Sequence, residues 1–137
     1  MMQGEDGLST LISVVDDNDS VRESLKGLIS SVGFAVEVFP SAEEFLNSDH
    51  LNDTRCLILD VHMPDMGGLE LQRRLAKGSR DIPIIFITAH GNEAARSQAL
   101  EQGAADYLFK PFSEQALLNA INAALGFEVS RKPNRPG

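Results

Sequence analysis

Cys56-Leu57-Ile58-Leu59-Asp60-Val61-His62-Met63-Pro64-Asp65-Met66-Gly67-Gly68 is the stretch that decides the fold. Its first four residues are apolar without alternation, which predicts a strand buried on both faces, as in a parallel sheet covered by helices. Asp60 stands where that strand ends. Proline 64 and the glycines at 67 and 68 then make a loop, and a helix is expected to open with Leu69 to Ala76. A carboxylate is thereby placed at the carboxyl end of a buried strand.

The same sentence is repeated on both sides of this stretch. Upstream, Leu11 to Val15 reads as a strand closed by Asp16-Asp17. Val21, Leu25, Leu28, Ile29 and Val32 then recur at helical spacing over Asp19 to Val32, and Gly33 stands where helices favour a left-handed residue. Ala35 to Phe39 is a second strand, and Ser41-Ala42-Glu43-Glu44 has the spacing of a capping box for a helix through about Leu46. Downstream, Ile82 to Thr88 is a fourth strand, Glu93 to Gln102 a weakly amphipathic helix stopped by Gly103, and Ala105 to Phe109 a fifth strand broken by Lys110-Pro111. Ser113 to Leu125 is a last helix with Leu117, Leu118, Ile121 and Leu125 on its buried side. Five strand–helix alternations with short connections call for an α/β fold, a parallel sheet doubly wound by five helices. Residues 1–8 are expected to be an N-terminal extension, 9–127 the one domain, and 128–137 a flexible tail or linker stub.

The polar residues cluster by topology. Asp16 and Asp17 follow strand one, Asp60 follows strand three, Thr88 ends strand four and Lys110 follows strand five. Open parallel sheets place their sites at these carboxyl ends. Taken singly each residue is ordinary: Asp-Asp is a common helix cap, a threonine ends many strands, and a lysine before proline usually meets solvent. Together they gather carboxylates that repel one another unless a cation sits among them. A hard ion such as Mg²⁺, which uses one or two carboxylates and keeps several waters, resolves that conflict. With an ammonium and a hydroxyl added, the cluster becomes a cradle for a tetrahedral dianion, with a carboxylate as nucleophile.

Composition excludes several other chemistries. A net charge of −8 over 137 residues argues against direct nucleic-acid binding, the more so because Arg131, Lys132 and Arg135 lie in the expected tail. One cysteine rules out an intrachain disulfide, and Cys56 reads as a buried hydrophobe. His50, His62 and His90 lack zinc-ligand spacing. No apolar run approaches membrane-spanning length and no signal peptide is evident, so a cytoplasmic location is expected. Neither a Walker loop nor a dinucleotide fingerprint is present.

From about Leu11 to Leu125 the chain resembles the receiver domain of two-component response regulators, and among them the FixJ type. The resemblance rests on Leu59-Asp-Val-His-Met-Pro-Asp-Met-Gly-Gly-Leu69, Ile85-Phe-Ile-Thr-Ala-His-Gly91 and Gly103-Ala-Ala-Asp-Tyr-Leu-Phe-Lys-Pro-Phe112. It implies the flavodoxin/CheY-like strand order 2-1-3-4-5 and a phosphorelay role in which a sensor histidine kinase phosphorylates Asp60 with Mg²⁺. In that role Asp17 binds the metal directly, Asp16 lies alongside, and the main-chain carbonyl of His62 is a further ligand. Thr88 and Lys110 contact the phosphoryl oxygens, Tyr107 is the aromatic switch, and the bond before Pro111 is cis. Tyr107 is expected to start exposed and to fill space that Thr88 vacates on phosphorylation. The resemblance also implies an output protein or fused effector domain as partner, and a possible homodimer through the face of helix 4, strand 5 and helix 5. Chemistry is expected to be confined to the domain's own phosphorylation and dephosphorylation, so the protein is not expected to be an enzyme.

FixJ-type regulators continue into a DNA-binding domain, so a stand-alone receiver and the receiver part of such a regulator are both open readings. A haloacid-dehalogenase-type enzyme wants an acid two residues after the nucleophile, where this chain has His62. A flavodoxin-like carrier wants a phosphate loop after strand one and flavin-stacking aromatics, but the chain has Asp-Asp-Asn-Asp there, no Trp and one Tyr. His62 and His90 stand two residues after Asp60 and Thr88, beside the path by which water reaches the phosphorus in this family. Bulky neutral imidazoles there are expected to shield an acyl phosphate more than they assist its hydrolysis.

Overall fold

A computed structural model describes residues 10–78 and 81–126. The expected extension at 1–8 and tail at 128–137 lie outside the described residues. The elements are β1 (Leu11–Val15), α1 (Asp19–Ser31), β2 (Ala35–Phe39), α2 (Ala42–Leu46), β3 (Thr54–Asp60), α3 (Gly68–Lys77), β4 (Ile84–Thr88), α4 (Glu93–Glu101), β5 (Asp106–Phe109) and α5 (Glu114–Ala124). All four pairings are parallel, and the strand order is β2-β1-β3-β4-β5.

Alternation along the strands builds two apolar layers. Leu57 and Leu59 of β3 join Phe86 of β4 and Phe45, Leu71, Leu75 and Ala99 from α2, α3 and α4. Cys56 and Ile58 face the other way, with Ile12, Val14, Ile85, Ile87 and the α1 and α5 residues Leu25, Ile29, Leu117 and Ile121. β3 is therefore apolar on both faces because both faces are covered.

Side chains start four of the helices. Asn18, Ser41, Asn92 and Ser113 each accept a hydrogen bond from the main-chain N–H three residues on, which satisfies donors the helix leaves open. Gly33 turns the chain out of α1 at φ 106°, a conformation that suits glycine.

Several expected boundaries move. β3 begins at Thr54, two residues early, because Thr54 pairs with Leu11 and its hydroxyl is buried against Ser13. β4 begins at Ile84 rather than Ile82: Pro83 has no N–H to give, although its carbonyl accepts from Leu57 at 2.9 Å. β5 begins at Asp106 rather than Ala105, and α4 and α5 end one residue early, at Glu101 and Ala124. Val32, expected on the buried face of α1, is 49% exposed, since the helix ends at Ser31 and the chain is already turning there. Leu118 and Leu125 are only half-buried, and Ala120 takes the core position between Leu117 and Ile121. Among the described residues no helix is long and apolar enough to cross a membrane.

Candidate functional site

Hydrogen bonds of ladder type continue past the strand ends and fix the site loops. Asp16 N–H donates to Phe39 O at 3.1 Å, Val61 N–H to Ile87 O at 3.1 Å, and Lys110 N–H to Thr88 O at 2.7 Å. Four neighbouring strands thus deliver Asp16, Asp17, Asp60, Thr88 and Lys110 to one rim.

At that rim, oxygens of Asp16, Asp17 and Asp60 lie within 4.8 Å of one another. Asp16 is fully buried; one carboxylate oxygen accepts Asn18 N–H at 2.9 Å and the other lies 3.2 Å from Lys110 Nζ. The carbonyl of Asp16 also accepts from Arg22 Nη1 at 2.8 Å, which ties the β1 end to α1. Asp17 is exposed. Asp60 is buried, and its Oδ1 accepts His62 N–H at 3.1 Å. Burial raises the Asp60 carboxyl above its ordinary range, and the Asp16 charge raises it further. The His62 N–H and Lys110 pull it back, and Asp17 adds a smaller upward push. Lys110, expected beside the phosphoryl group, spends its ammonium on Asp16.

Thr88 is fully buried, and its Oγ1 accepts His90 N–H at 3.1 Å. His62 and His90 are exposed, and their rings meet edge-on with centroids 6.4 Å apart. The Lys110–Pro111 peptide is cis.

Tyr107 corrects an expectation. It does not start exposed: it is 3% exposed, with its ring centroid 6.0 Å from that of Phe86 and 5.4 Å from that of Phe109. Its position in β5 opposite Phe86 puts it on a core face. Its hydroxyl is buried without a hydrogen-bond partner, and burial pushes the phenol up from its ordinary value.

Gly68 was legible only as a loop former, yet it controls how closely α3 approaches the site. A Cβ there would stand 2.7 Å from Asp60 O and 3.0 Å from the Phe86 ring. The doubled glycine at 67–68 was the available signal, but it could not say what pressed against it. Cys56 is inert: burial pushes its thiol up to about 12.

The donor set suits a hard divalent cation. It is all oxygen, it holds like charges in mutual repulsion, and one of its carboxylates faces solvent where waters can complete a shell. Asp17 and Asp60 are the two carboxylates without a lysine partner among the contacts described, whereas Asp16 has Lys110.

Comparison with known proteins points the same way. Residues 12–122 match the response regulator receiver domain. The response regulator protein TodT of Pseudomonas putida is 44% identical over 93% of this chain and 56% of its own length. Nodulation protein W of Bradyrhizobium diazoefficiens is 45% identical over the same shares. The chain therefore spans a little over half the length of these curated relatives. Among solved structures, the response regulator StyR superposes with a TM-score of 0.80 at 47% identity, over 86% of this chain and 60% of that one. FixJ-N superposes with a TM-score of 0.77 at 37% identity, over 94% and 99%.

Proposed function

The chain belongs to the response regulator receiver domain family of two-component systems, and we propose that it accepts a phosphoryl group from a sensor histidine kinase onto Asp60 in a Mg²⁺-dependent reaction. The observation that carries this is the convergence of Asp16, Asp17 and Asp60 at one rim with Lys110 paired to Asp16.

In this reading a carboxylate oxygen of Asp60 attacks the phosphorus. The bond from phosphorus to the donor's leaving group breaks, with the electron pair going to that group: an imidazole nitrogen from a kinase, an acetate oxygen from acetyl phosphate. Burial and Asp16 hold the Asp60 carboxyl toward its protonated form, and only the ionised form attacks. Mg²⁺, if bound there, would supply positive charge that favours the ionised form of Asp60 and offsets the charge of the incoming phosphoryl oxygens. Asp17, Asp60 and the His62 carbonyl are the groups that would hold that ion, with Asp16 alongside. Lys110 balances Asp16 at rest and turns to a phosphoryl oxygen after transfer. Thr88 supplies a hydroxyl to another.

The domain acts as a signalling module whose chemistry is confined to its own modification. Phosphorylation adds roughly 1.5 to 2 negative charges, and the response is a population shift that remodels the face of α4, β5 and α5. That face serves an output partner, a fused effector domain or a second copy of this chain. Residues 9–127 form this module, in a cytoplasmic setting, without DNA contacts of their own. In a FixJ-type regulator it is the part that receives the signal for a DNA-binding domain.

Intact-mass analysis with acetyl phosphate tests the reading. Wild type should gain one phosphoryl group in Mg²⁺ and none in excess chelator, and Asp60→Asn should gain none. Labelling of the Asn variant, or labelling in chelator, would overturn it.

A further inference from the structure

Asp17 is exposed and lies beyond the end of β1, so its place at the rim is set by the main chain that carries it. It sits in a short link, Asp16 to Asn18, between β1 and α1. Hydrogen bonds hold that link at both ends. Asp16 N–H donates to Phe39 O at 3.1 Å, Asn18 N–H to Asp16 Oδ1 at 2.9 Å, and Arg22 N–H to Asn18 O at 3.1 Å. The carbonyl of Asp16 belongs to the peptide that joins Asp16 to Asp17, and its partner is a side chain: Arg22 Nη1, at 2.8 Å. Because a peptide is planar, fixing that carbonyl fixes the direction in which Asp17 leaves Asp16.

Arg22 is built for two contacts at once. Its side chain is only 16% exposed although it carries a full charge, and its guanidinium is a planar fork. Nη1 reaches the Asp16 carbonyl, and Nη2 pairs with the Asp19 carboxylate one turn back on α1. The second contact has an exposed partner and adds little by itself. Pairs of the same spacing join Arg73 to Glu70 and Arg96 to Glu93 on exposed helix faces. Arg22 differs from them in closing on main chain outside its own helix.

We infer that Arg22 is a positioning residue for the divalent-ion site: through the Asp16 carbonyl it sets where Asp17 presents its carboxylate to the cluster it forms with Asp16 and Asp60. The inference rests on the receiver reading for the ion and deepens it. Arg22 is not itself a ligand, and its contact at Asp16 is to the carbonyl rather than the carboxylate. Without the fork, the peptide after Asp16 is free to turn and carries Asp17 with it. The ion must then order that peptide as it binds, and binding weakens.

Mg²⁺ binding is read without any phosphodonor, from the rise of the urea midpoint with Mg²⁺ concentration, which gives an apparent dissociation constant for each variant. Arg22→Met keeps the aliphatic stem and removes the fork, and its constant should rise severalfold over wild type. Arg22→Lys keeps the charge but offers one point in place of two, and should lie between. Asp19→Asn and Arg73→Met should both bind like wild type. An Arg22→Met that is less stable in chelator yet binds Mg²⁺ as wild type does has lost a structural contact only, and overturns the inference. Equal weakening in Asp19→Asn or Arg73→Met also overturns it, since the effect would then follow helix pairing or surface charge. If Arg22→Met does not fold, Arg22→Lys decides: a raised constant supports the inference and a wild-type constant overturns it. A wild type that Mg²⁺ does not stabilise would overturn the metal reading and the inference together. Wild-type Mg²⁺ binding without labelling of Asp60 by acetyl phosphate would fault the phosphoacceptor reading alone.

Discussion

The two ends of the sheet bury polar groups on opposite terms. Where the amino end of β3 meets the middle of β1, Thr54 and Ser13 are both buried, their hydroxyls are 2.7 Å apart, and the Thr54 hydroxyl donates to His50 O at 2.7 Å. No charge is involved and each donor has an acceptor. At the carboxyl ends of the same strands, Asp16 and Asp60 are buried with like charge, one lysine serves them, and the Asp60 carboxyl is pushed up. The first arrangement is a closed network that only stabilises. The second lacks positive charge, and that deficit is what a metal ion would fill. Buried polarity marks a site when it is left unbalanced.

The comparison breaks most visibly if the two ends respond alike to loss of a polar group. Thr54→Val leaves Ser13 and His50 O without their partner and should cost about 1–3 kcal/mol in urea unfolding, with or without Mg²⁺. Asp60→Asn removes one of three repelling carboxylates and should raise the midpoint in chelator. A loss of stability in both variants would remove the distinction.

Crowding is the next effect in size. Gly68→Ala pushes α3 off the Asp60 carbonyl and should cost about 1–3 kcal/mol, as overpacking does, and should slow labelling by acetyl phosphate. Unchanged stability and labelling would show that α3 yields without disturbing the site.

A smaller effect concerns pH. The folded Asp60 carboxyl binds its proton more tightly than an ordinary unfolded one, because of burial and Asp16. In chelator, stability should therefore fall as pH rises from the ordinary carboxylate range through the raised folded value, and the deficit should be complete above it. Mg²⁺ should flatten that fall. Urea melts across this range check the sign, with Asp60→Asn as the variant in which this contribution disappears.

The architecture was readable because period and punctuation agreed: apolar runs, glycine stops and the capping box at Ser41 stand where elements begin and end. The strand order was not readable from periodicity, which says nothing about neighbours; it came through the resemblance to receivers. Five of the site positions, Asp16, Asp17, Asp60, Thr88 and Lys110, were legible as strand-end polar residues. What sequence could not convey was distance. Lys110 turned out to face Asp16, Tyr107 lies inside rather than outside, and the close fit at Gly68 depends on tertiary approach that a glycine in a string does not reveal.

The smallest predicted effect is on the lifetime of the modified state. His62 and His90 face each other across the rim. If their rings exclude water, the double variant His62→Asn/His90→Glu should lose phosphate severalfold faster than wild type in Mg²⁺. Equal or slower loss would reject the shielding role.

The central claim, that the unbalanced end of the sheet is a phosphoacceptor site with Asp60 as its nucleophile, is tested most directly by trapping the acyl phosphate. Protein labelled with acetyl phosphate in Mg²⁺ is reduced with borohydride, which converts a phosphorylated aspartate to homoserine, and is then mapped by peptide mass. The account predicts homoserine at position 60 alone. Homoserine at 16 or 17, or a phosphoryl gain in intact mass that borohydride leaves untouched, would contradict it.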